Sequence, residues 1–474
     1  MFLDLQRHNE SKGALRDQHG CFWTYGQLRE EISQMQSAMP SRCLAFVLCE
    51  NSAGSLLGYL AMVEAGIVPV MLSKELNEEL LVKLCDIYRP ALIWLPSCEV
   101  DSKVQALGIG FGQQNVLYER CGYLLLRTDN KAYPLNDLLS LCLSTSGSTG
   151  SPKLVRYTRD NLEANARNVA LAFEWTPDER AFADLGMQYT MGLNVINTHL
   201  YAGAEVLLCD SNPMSGEYWD FLEKTKATNI TGVPFSYEIF HRLHITRKDL
   251  PNLRTFAEGG GRLSDDRFEE FAQYARTSGK RFIATFGTTE TAARMSYLPA
   301  GYACEKTGSI GMPIPGGEMY LLDAEGNRID TLVAEGELVY KGPNVTMGYA
   351  RCKEDLALGD VWQGTYRTGD LARRDANGFY YITGRLGRFV KLLGHRISLD
   401  ECERLIQSAL DIDCACVGDD SAIVVFCEDE SQLDECTMVL QDKIGIRPSQ
   451  CQVVHIDVIP RTESGKKKYA ELHE

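Results

Sequence analysis

The sequence up to residue 286 alternates between two apolar patterns, and this alternation constrains the fold more than any other feature. Segments with apolar residues at helical spacing are followed by short, continuous apolar segments, which are typical of buried strands. The alternation predicts an α/β fold with a parallel, helix-covered sheet. The predicted helices cover 25–38, 55–65, 80–87, 160–173, 218–225 and 265–276, and the predicted strands cover 43–49, 67–72, 91–95, 153–158, 205–209, 229–232 and 281–286.

The pattern changes near Gly308. Short strand patterns separated by Gly, Pro and Asn turns predict a small β-rich subdomain over 308–383. A compact α/β unit of about ninety residues is expected beyond Gly384, which is enough for a small domain. The predicted strands of the two parts cover 318–322, 336–340, 380–383, 415–418, 422–427 and 453–459, and the predicted helices cover 400–410 and 432–444.

Length, charge and cysteine usage exclude several classes of protein. A chain of 474 residues is long for one core, so two or more domains are expected. The formal net charge of −16 disfavours a general binder of nucleic acid or anionic membrane. The N-terminus lacks the pattern of a signal peptide, and Glu64, Gly66 and Pro69 interrupt the apolar stretch 56–72. None of the sixteen cysteines has C-x-x-C spacing, so we expect reduced thiols in a cytoplasmic protein.

The stretch from Leu143 to Lys153 contains six hydroxyl residues and two glycines between apolar segments. Glycines let backbone N–H groups turn inward, and hydroxyls and a lysine add donors, so the stretch suits a row of phosphate oxygens. It is not a Walker A loop, because the spacing from Gly147 to Lys153 does not fit that motif. Taken alone, the stretch also fits an ordinary polar hairpin. Thr158 or Asp160 is the expected N-cap of the helix that follows.

A second polar stretch ends the predicted strand 281–286 and reads Ala284-Thr-Phe-Gly-Thr-Thr-Glu290. Glu290 suits Mg²⁺, which takes hard oxygen ligands and usually keeps phosphate partners. The ring of Phe286 suits the face of a purine. Taken alone, the stretch also fits a capped turn between a strand and a helix.

Two further polar stretches lie in the last quarter of the chain. Asp370 ends Tyr366-Arg-Thr-Gly-Asp370, and a carboxylate in a Gly turn suits the two hydroxyls of a ribose. Close to the C-terminus stands Pro460-Arg-Thr-Glu-Ser-Gly-Lys466-Lys-Lys-Tyr469. Taken alone, the first stretch fits a simple turn and the second fits a solvated run of charge.

Together, the four stretches resemble the motifs of the adenylate-forming superfamily, which includes acyl-CoA synthetases, peptide-synthetase adenylation domains and luciferases. The resemblance covers nearly the whole chain, and the motifs occur in the family's order. Residues 145–153 match the phosphate loop, 286–290 the Y-G-x-T-E motif, 368–370 the T-G-D motif and 460–466 the P-K-T-x-S-G-K motif. A fifth segment, 384–396, lies between the last two and matches the hinge motif.

The resemblance implies a ligase that uses ATP and Mg²⁺ in two steps. A carboxylate attacks the α-phosphate and gives an acyl-adenylate and pyrophosphate, and a thiol of coenzyme A or carrier-protein phosphopantetheine then takes the acyl group. Lys466, Thr289 and Glu290 are the implied catalytic residues, with Glu290 also holding the metal. The implied nucleotide-binding residues are Thr145, Ser146, Gly147, Ser148, Thr149, Gly150, Lys153, Gly260, Phe286, Gly287, Thr288, Asp370 and Arg385.

The resemblance also implies a mobile C-terminal domain. It assigns 1–383 to a large AMP-binding domain, 384–387 to a hinge and 388–474 to a small domain that carries the catalytic lysine. In the family this domain rotates between the two half-reactions, so Lys466 would serve adenylation and the face around Gly394 would line the thiol tunnel. By this register, Lys467 and Lys468 are expected to be solvated neighbours.

The chain departs from the family pattern at five positions. Leu154 stands where the family usually has Gly, Phe286 replaces Tyr, Gly387 replaces a polar hinge residue, Arg461 replaces Lys, and Tyr469 replaces Arg. None of these changes removes a group that the chemistry requires, so we expect an active enzyme.

The segment 186–195 resembles the part of the family that forms the acid pocket. The implied pocket residues are Tyr189, Gly192, Val233 and Gly261. Thr190 stands where amino-acid-activating members commonly have Asp, and an unpaired buried ammonium is costly, which disfavours an α-amino acid. Ordinary core packing is the alternative for Tyr189 and is favoured for Asn194 and His199.

The sequence therefore favours a stand-alone ligase that activates a small non-amino carboxylic acid. The first alternative is an amino-acid ligase that loads a separate acyl carrier protein, and a remote alternative is a non-catalytic nucleotide-binding protein. Neither a nucleic acid nor a membrane is an expected partner.

Overall fold

The computed structural model describes every residue except 108–112, 145–152, 393–394, 420–421, 448–449, 463–464 and 473–474. The helices are α1 (Tyr25–Ser37), α2 (Ala53–Ala65), α3 (Glu78–Tyr88), α4 (Val100–Leu107), α5 (Arg159–Phe173), α6 (Thr190–Ala202), α7 (Gly216–Lys224), α8 (Pro234–Arg242), α9 (Asp265–Thr277), α10 (Leu399–Leu410) and α11 (Leu433–Ile444). The strands are β1 (Gly13–Asp17), β2 (Phe22–Thr24), β3 (Leu44–Cys49), β4 (Val68–Ser73), β5 (Leu92–Pro96), β6 (Val116–Arg120), β7 (Tyr123–Arg127), β8 (Leu139–Ser144), β9 (Leu154–Thr158), β10 (Arg180–Ala183), β11 (Glu205–Leu208), β12 (Asn229–Gly232), β13 (Thr255–Glu258), β14 (Arg281–Phe286), β15 (Ser296–Tyr297), β16 (Met312–Pro313), β17 (Glu318–Leu322), β18 (Ala334–Lys341), β19 (Tyr349–Ala350), β20 (Thr365–Arg374), β21 (Tyr380–Arg385), β22 (Phe389–Leu392), β23 (His395–Ser398), β24 (Cys414–Gly418), β25 (Ile423–Cys427) and β26 (Cys451–His455).

The chain forms two compact units. The described residues of Met1–Thr145, Ser151–Glu318 and Lys341–Tyr366 make up the first, and those of Met319–Tyr340 and Arg367–Glu474 make up the second. None of the helices in the described ranges is both long enough and apolar enough to cross a membrane.

The first unit contains two large mixed sheets. One has the strand order β16-β15-β14-β13-β12-β10-β11-β1-β2, and the other has the order β19-β9-β8-β4-β3-β5-β7-β6. Neighbouring strands from β14 to β1 are parallel in the first sheet, and β8, β4, β3 and β5 are parallel in the second. The other pairs, towards the sheet edges, are antiparallel. The predicted α/β class with helix-covered sheets is confirmed. The expectation of a parallel sheet holds only for the central strands, because the strands added towards the edges pair antiparallel and make both sheets mixed.

Helix α5 follows β9 because the sequence provides a start signal at Thr158. The Thr158 hydroxyl accepts from the Asn161 N–H at 3.0 Å, and the Asn161 side chain accepts from the Thr158 N–H at 2.9 Å. This reciprocal capping satisfies two backbone donors at the helix N-terminus. Of the two predicted N-caps, Thr158 is therefore the one observed.

The second unit contains three smaller sheets. Strands β17, β18, β20 and β21 form one, β22 and β23 another, and β24, β25 and β26 a third. Helices α10 and α11 pack on the third sheet around a buried core of aliphatic and cysteine side chains, which includes Cys402, Ile406, Val425, Cys436 and Leu440. A buried thiol acts as a small apolar group, so these cysteines are packing residues.

Candidate active site

The hydroxyl-rich stretch joins two neighbouring strands. Strands β8 and β9 pair antiparallel, with Ser144 opposite Leu154. The predicted residues Thr145, Ser146, Gly147, Ser148, Thr149 and Gly150 lie outside the described residues. Lys153 is described and directly precedes β9.

Leu154 has a packing role in the first unit. Its side chain is fully buried and belongs to the same apolar cluster as Cys142, Met347, Ala350 and Leu356. Strand β9 lies between β8 and β19, so this side chain fills space that a glycine would leave empty. The departure from the family pattern at this position is a core residue of the sheet.

The stretch 286–290 forms the end of β14 and a tight loop. Phe286, half-buried, ends the strand, and Thr289 and Glu290 lie in a single turn of 3₁₀ helix. A Cβ atom at Gly287 would lie 1.8 Å from the Ala293 carbonyl oxygen, so the loop closes only around a glycine. Two neighbouring segments hold this loop: the Tyr157 hydroxyl donates to the Thr289 carbonyl at 2.5 Å, and the Thr346 N–H donates to the Glu290 carbonyl at 3.0 Å. Within the loop, the Thr288 N–H donates to the Thr291 hydroxyl at 3.2 Å.

Tyr349 brings Lys153 and Glu290 to one place. Its hydroxyl donates to Oε1 of Glu290 at 2.5 Å, and the Nζ atom of Lys153 lies 4.0 Å from the centroid of its ring. Glu290 is 9% exposed, which leaves its carboxylate at the edge of the protein interior. Burial and the neighbouring carboxylate raise the pKa of the Tyr349 phenol, so the hydroxyl keeps its proton and acts as the donor. Sequence reasoning missed Tyr349, which belongs to none of the four polar stretches.

The predicted pocket residues of the first unit lie in neighbouring connections. Tyr189 occupies the N-cap position of α6, and Val233 occupies that of α8, directly after β12. A Cβ atom at Gly260, in the connection after β13, would lie 3.1 Å from Val233, and one at Gly261 would lie 3.0 Å from Pro234. These connections follow the carboxyl ends of parallel strands, where α/β sheets bind ligands.

Gly192 allows the first turn of α6 to pack closely on the preceding loop. A Cβ atom there would lie 2.3 Å from the Leu185 carbonyl oxygen and 2.4 Å from that of Gly186. The structure therefore gives Gly192 a packing function at the start of the helix that carries Tyr189 at its N-cap.

A buried polar network, also missed by sequence reasoning, lies beside this region. The guanidinium of Arg294 is 1% exposed and donates to Oδ1 of Asn194 and, at 3.4 Å, to the Thr231 hydroxyl. Burial lowers the pKa of Arg294 to about 10, so it remains a cation at neutral pH. Glu258, the last residue of β13, is 4% exposed, and burial raises the pKa of its carboxyl well above the usual value.

His199 is a core residue, in agreement with the packing alternative. It is 1% exposed, its Nδ1 lies 2.8 Å from the Val195 carbonyl, and its ring centroid lies 4.9 Å from that of Trp175. Burial lowers the pKa of His199 to about 4, which keeps the ring neutral.

In the second unit, the structure brings Asp370 and Arg385 together. They are opposite each other on the antiparallel strands β20 and β21, and Nε of Arg385 lies 2.7 Å from Oδ1 of Asp370. Asp370 is 2% exposed, whereas the Arg385 side chain is 63% exposed. Gly387 follows in an open position: apart from its chain neighbours, the described residues place no atom within 4 Å of where its Cβ would stand.

Lys466 lies in a turn at the end of the second unit and is exposed. The Thr462 hydroxyl accepts from the Lys466 N–H at 3.1 Å, and the Thr462 N–H donates to the Lys466 carbonyl at 2.8 Å. The expectation that Lys467 is solvated is wrong, because its ammonium lies 3.0 Å from Glu403 and 2.8 Å from Asp413 and its side chain is 16% exposed. Two carboxylates hold this cation against α10 and β24.

Comparison with known proteins identifies the family of the chain. Residues 4–350 match the family model described as AMP-binding enzyme. The feruloyl-CoA synthase of an Amycolatopsis species is 28% identical over 98% of this chain and 96% of that enzyme. Acetyl-coenzyme A synthetase 2 of Candida albicans is 28% identical over 73% of this chain, which spans 55% of that enzyme's length.

The fold matches solved structures over the whole chain. The AMP complex of the O-succinylbenzoate coenzyme A synthetase of Bacillus subtilis has a TM-score of 0.81, with 20% identity over 100% of this chain and 98% of that one. The same enzyme has also been solved with ATP and a magnesium ion, with a TM-score of 0.78, 19% identity and coverage of 99% and 98% of the two chains. The chain belongs to the AMP-binding enzyme family, and the resemblance to the adenylate-forming superfamily is confirmed.

Proposed function

We propose that the protein is an AMP-forming acid–thiol ligase. It activates a carboxylic acid with ATP as an acyl-adenylate and passes the acyl group to the thiol of coenzyme A. The observation that carries this proposal is the placement of the Lys153 ammonium and the Glu290 carboxylate on one tyrosine, at the end of the hydroxyl-rich stretch. A cation and a carboxylate at one point suit a polyphosphate that is bound together with a metal ion.

The Glu290 carboxylate fits Mg²⁺, because this ion takes oxygen ligands and is usually held by one or two carboxylates together with substrate phosphates. One carboxylate oxygen of Glu290 accepts a hydrogen bond from the Tyr349 hydroxyl, and we assign the second oxygen to the metal. Bound there, Mg²⁺ would supply charge neutralisation at the phosphates. Residues 146–153 would hold the β- and γ-phosphates, Thr289 the α-phosphate and Phe286 the adenine. Thr145, Gly260, Gly287 and Thr288 would line the nucleotide site.

The second unit would supply the remaining groups. Asp370, oriented by Arg385, would accept the ribose hydroxyls, and Lys466 would stabilise the charge that grows as the acid oxygen attacks the α-phosphorus and pyrophosphate leaves. We propose 1–383 as the AMP-binding domain, 384–387 as its hinge and 388–474 as the domain that alternates between the half-reactions. Adenylation needs alignment and charge stabilisation more than a side-chain nucleophile.

The buried charges near the proposed acid pocket favour an acid without an ammonium group. The pocket is assigned to Tyr189, Gly192, Val233 and Gly261. Arg294 is a buried cation in this region, and burial favours the neutral form of Glu258. A substrate ammonium would therefore meet the Arg294 cation in this region, with Thr190 in place of a carboxylate.

The test is pyrophosphate release by the full chain across a panel of aliphatic, aromatic and amino acids with ATP and Mg²⁺. We expect release with a non-amino acid and, after coenzyme A is added, an acyl-CoA thioester that mass spectrometry detects. Release with amino acids alone, and transfer only to a carrier protein, would support the carrier-loading alternative. Absence of release with every acid would overturn the proposal and favour a nucleotide-binding protein without ligase activity. A cytoplasmic location stays a prediction.

A further inference from the structure

Tyr349 contacts two proposed phosphate-site groups through different parts of one side chain. The phenol hydroxyl donates to the Glu290 carboxylate at 2.5 Å, and the ring face lies 4.0 Å from the Lys153 ammonium. The hydrogen bond to the carboxylate requires the phenol hydroxyl, whereas the attraction of the ammonium requires only the face of the aromatic ring. The hydroxyl and the ring can therefore be removed separately by substitution.

The surrounding structure fixes the position of this tyrosine. Strand β19 pairs with β9, so that Tyr349 lies opposite Val155, two residues beyond Lys153. The ring of Trp362 packs edge-on against that of Tyr349, with centroids 5.1 Å apart. The fully buried Arg156 donates to the carbonyls of Met347, at 2.9 Å, Gly359, at 3.1 Å, and Leu358, and so ties this segment to β9.

The segment before Tyr349 also runs along the loop that carries Glu290. The Thr346 N–H donates to the Glu290 carbonyl at 3.0 Å, and the Asn344 amide donates to the Thr291 carbonyl at 2.7 Å. These hydrogen bonds to loop carbonyls fix the position of the loop backbone, while the Tyr349 hydroxyl contacts the Glu290 carboxylate itself. The carboxylate rotation thus depends on a group that lies 59 residues further along the chain.

We infer that Tyr349 is a positioning residue that orients the Glu290 carboxylate for Mg²⁺ and seats the Lys153 ammonium for the terminal phosphates of ATP. This inference rests on the proposed function. The hydroxyl takes one carboxylate oxygen and turns the other towards the metal. The ring holds the lysine cation beside that carboxylate without forming a direct ion pair, which would withdraw both charges from the phosphates.

The test compares Tyr349→Phe, which removes only the hydroxyl, with Tyr349→Leu, which also removes the ring. Tyr302→Phe is the matched control, since Tyr302 is a tyrosine of the same unit that is 44% exposed. Two quantities are measured for each full-length protein: the Mg²⁺ concentration for half-maximal pyrophosphate release, and the affinity for Mn²⁺ in the presence of a non-hydrolysable ATP analogue, by electron paramagnetic resonance.

For Tyr349→Phe we expect the half-maximal Mg²⁺ concentration and the Mn²⁺ dissociation constant to rise about tenfold, the scale of one hydrogen bond to a charged group. The KM for ATP should change little in this variant, whereas Tyr349→Leu should raise it as well. In Tyr349→Phe combined with Glu290→Gln, the losses should not add, because the hydroxyl acts through that carboxylate.

Unchanged metal affinity in Tyr349→Phe, with normal activity of the wild type, would overturn the inference and leave the ligase function standing. If the wild type binds Mn²⁺ with the analogue but releases no pyrophosphate with any acid, the ligase function fails while the binding measurement still decides the role of Tyr349. If the wild type binds neither metal nor analogue, both are overturned.

Discussion

The side-chain ammonium of Lys467 lies 3.0 Å from Oε2 of Glu403. Glu403 also accepts hydrogen bonds from the guanidinium of Arg388, at 2.6 Å, and from the hydroxyl of Tyr469, at 3.1 Å. One carboxylate on α10 thus holds residues close to Lys466 on its C-terminal side. The turn that carries Lys466 is therefore fixed to the second unit by its neighbours.

Replacing Glu403 should loosen this turn. In Glu403→Ala, Lys467 and Arg388 each keep another carboxylate partner, so neither cation is left unpaired. We therefore expect the free energy of unfolding to fall by only about 2–3 kcal/mol. The adenylation rate should fall about 10-fold or more, because the turn would no longer hold one position. Thermal melting and ATP–pyrophosphate exchange measure the two effects. Glu435→Ala, an exposed carboxylate on α11, is the control, and equal behaviour of the two variants would contradict the prediction.

Lys466 itself should matter for one half-reaction only. Lys466→Ala removes a charge that stabilises the adenylation transition state, so we expect adenylation to fall by at least about 10²-fold. Thiolysis of a preformed acyl-adenylate should survive this change. Single-turnover assays separate the two steps, with Lys468→Ala as the neighbouring control, since Lys468 pairs with Glu471 at the surface. Equal loss in both steps would count against domain alternation.

Much of the fold could be predicted because its strongly patterned elements are local. The predicted strand 281–286 is observed as Arg281–Phe286, and the predicted helix 160–173 as Arg159–Phe173. Helix α6 was not predicted as a helix, because every residue from Met191 to Leu200 is buried and no polar face marks its period. The predicted strand 453–459 is observed as Cys451–His455.

The candidate site likewise contains residues that the sequence predicts and residues that it does not. Lys153, Glu290 and Asp370 stand in short polar motifs, so the sequence points to them directly. Tyr349 and Arg294 act through contacts that only the folded sheets create, such as the pairing of β19 with β9 and the approach of Arg294 to Asn194 on α6. No local pattern distinguishes such residues from ordinary core residues.

Glu290→Gln should change the metal dependence of the reaction. The amide keeps an acceptor for the Tyr349 hydroxyl but lacks the negative charge that favours Mg²⁺. We expect the Mg²⁺ concentration for half-maximal pyrophosphate release to rise about tenfold or more. A titration of activity against Mg²⁺ at saturating ATP measures this. An unchanged titration would remove Glu290 from the proposed metal site.

Leu154→Gly should destabilise the first unit, although glycine is the usual family residue there. The substitution removes a fully buried side chain from the core and places glycine inside a strand. We expect a loss of about 3–6 kcal/mol in the free energy of unfolding, from the cavity and from backbone entropy. Chemical denaturation measures it. Leu171→Ala, which changes a leucine that is 62% exposed, should cost less than about 1 kcal/mol, and similar losses would contradict a core role for Leu154.

Asp184→Asn should raise the free energy of unfolding, but only at a pH where the carboxyl of the wild type ionises. Burial raises the pKa of Asp184 from 3.8 to about 6, although the Tyr218 hydroxyl donates to its carboxylate at 2.8 Å. The folded protein therefore holds this proton more tightly than the unfolded chain does. The contribution of Asp184 to stability is complete below about pH 4 and is lost as the pH rises through about 6.

The amide cannot ionise, and it keeps an acceptor for Tyr218, so the variant avoids this loss. We expect its free energy of unfolding to exceed that of the wild type by about 2–3 kcal/mol at pH 7.5 and by almost nothing near pH 4. Burial lowers the pKa of His199, so the contribution of His199 to stability is lost as the pH falls, which is the opposite sign. This contribution is the same in the variant and the wild type, and it cancels when their free energies of unfolding are subtracted. Denaturation curves across this pH range measure the difference, and Asp220→Asn, at a side chain that is 70% exposed, should show none. A stability gain of the same size at pH 4 and pH 7.5 would mean that the effect comes from packing, because a titrating carboxyl must lose its influence once it is protonated in both states.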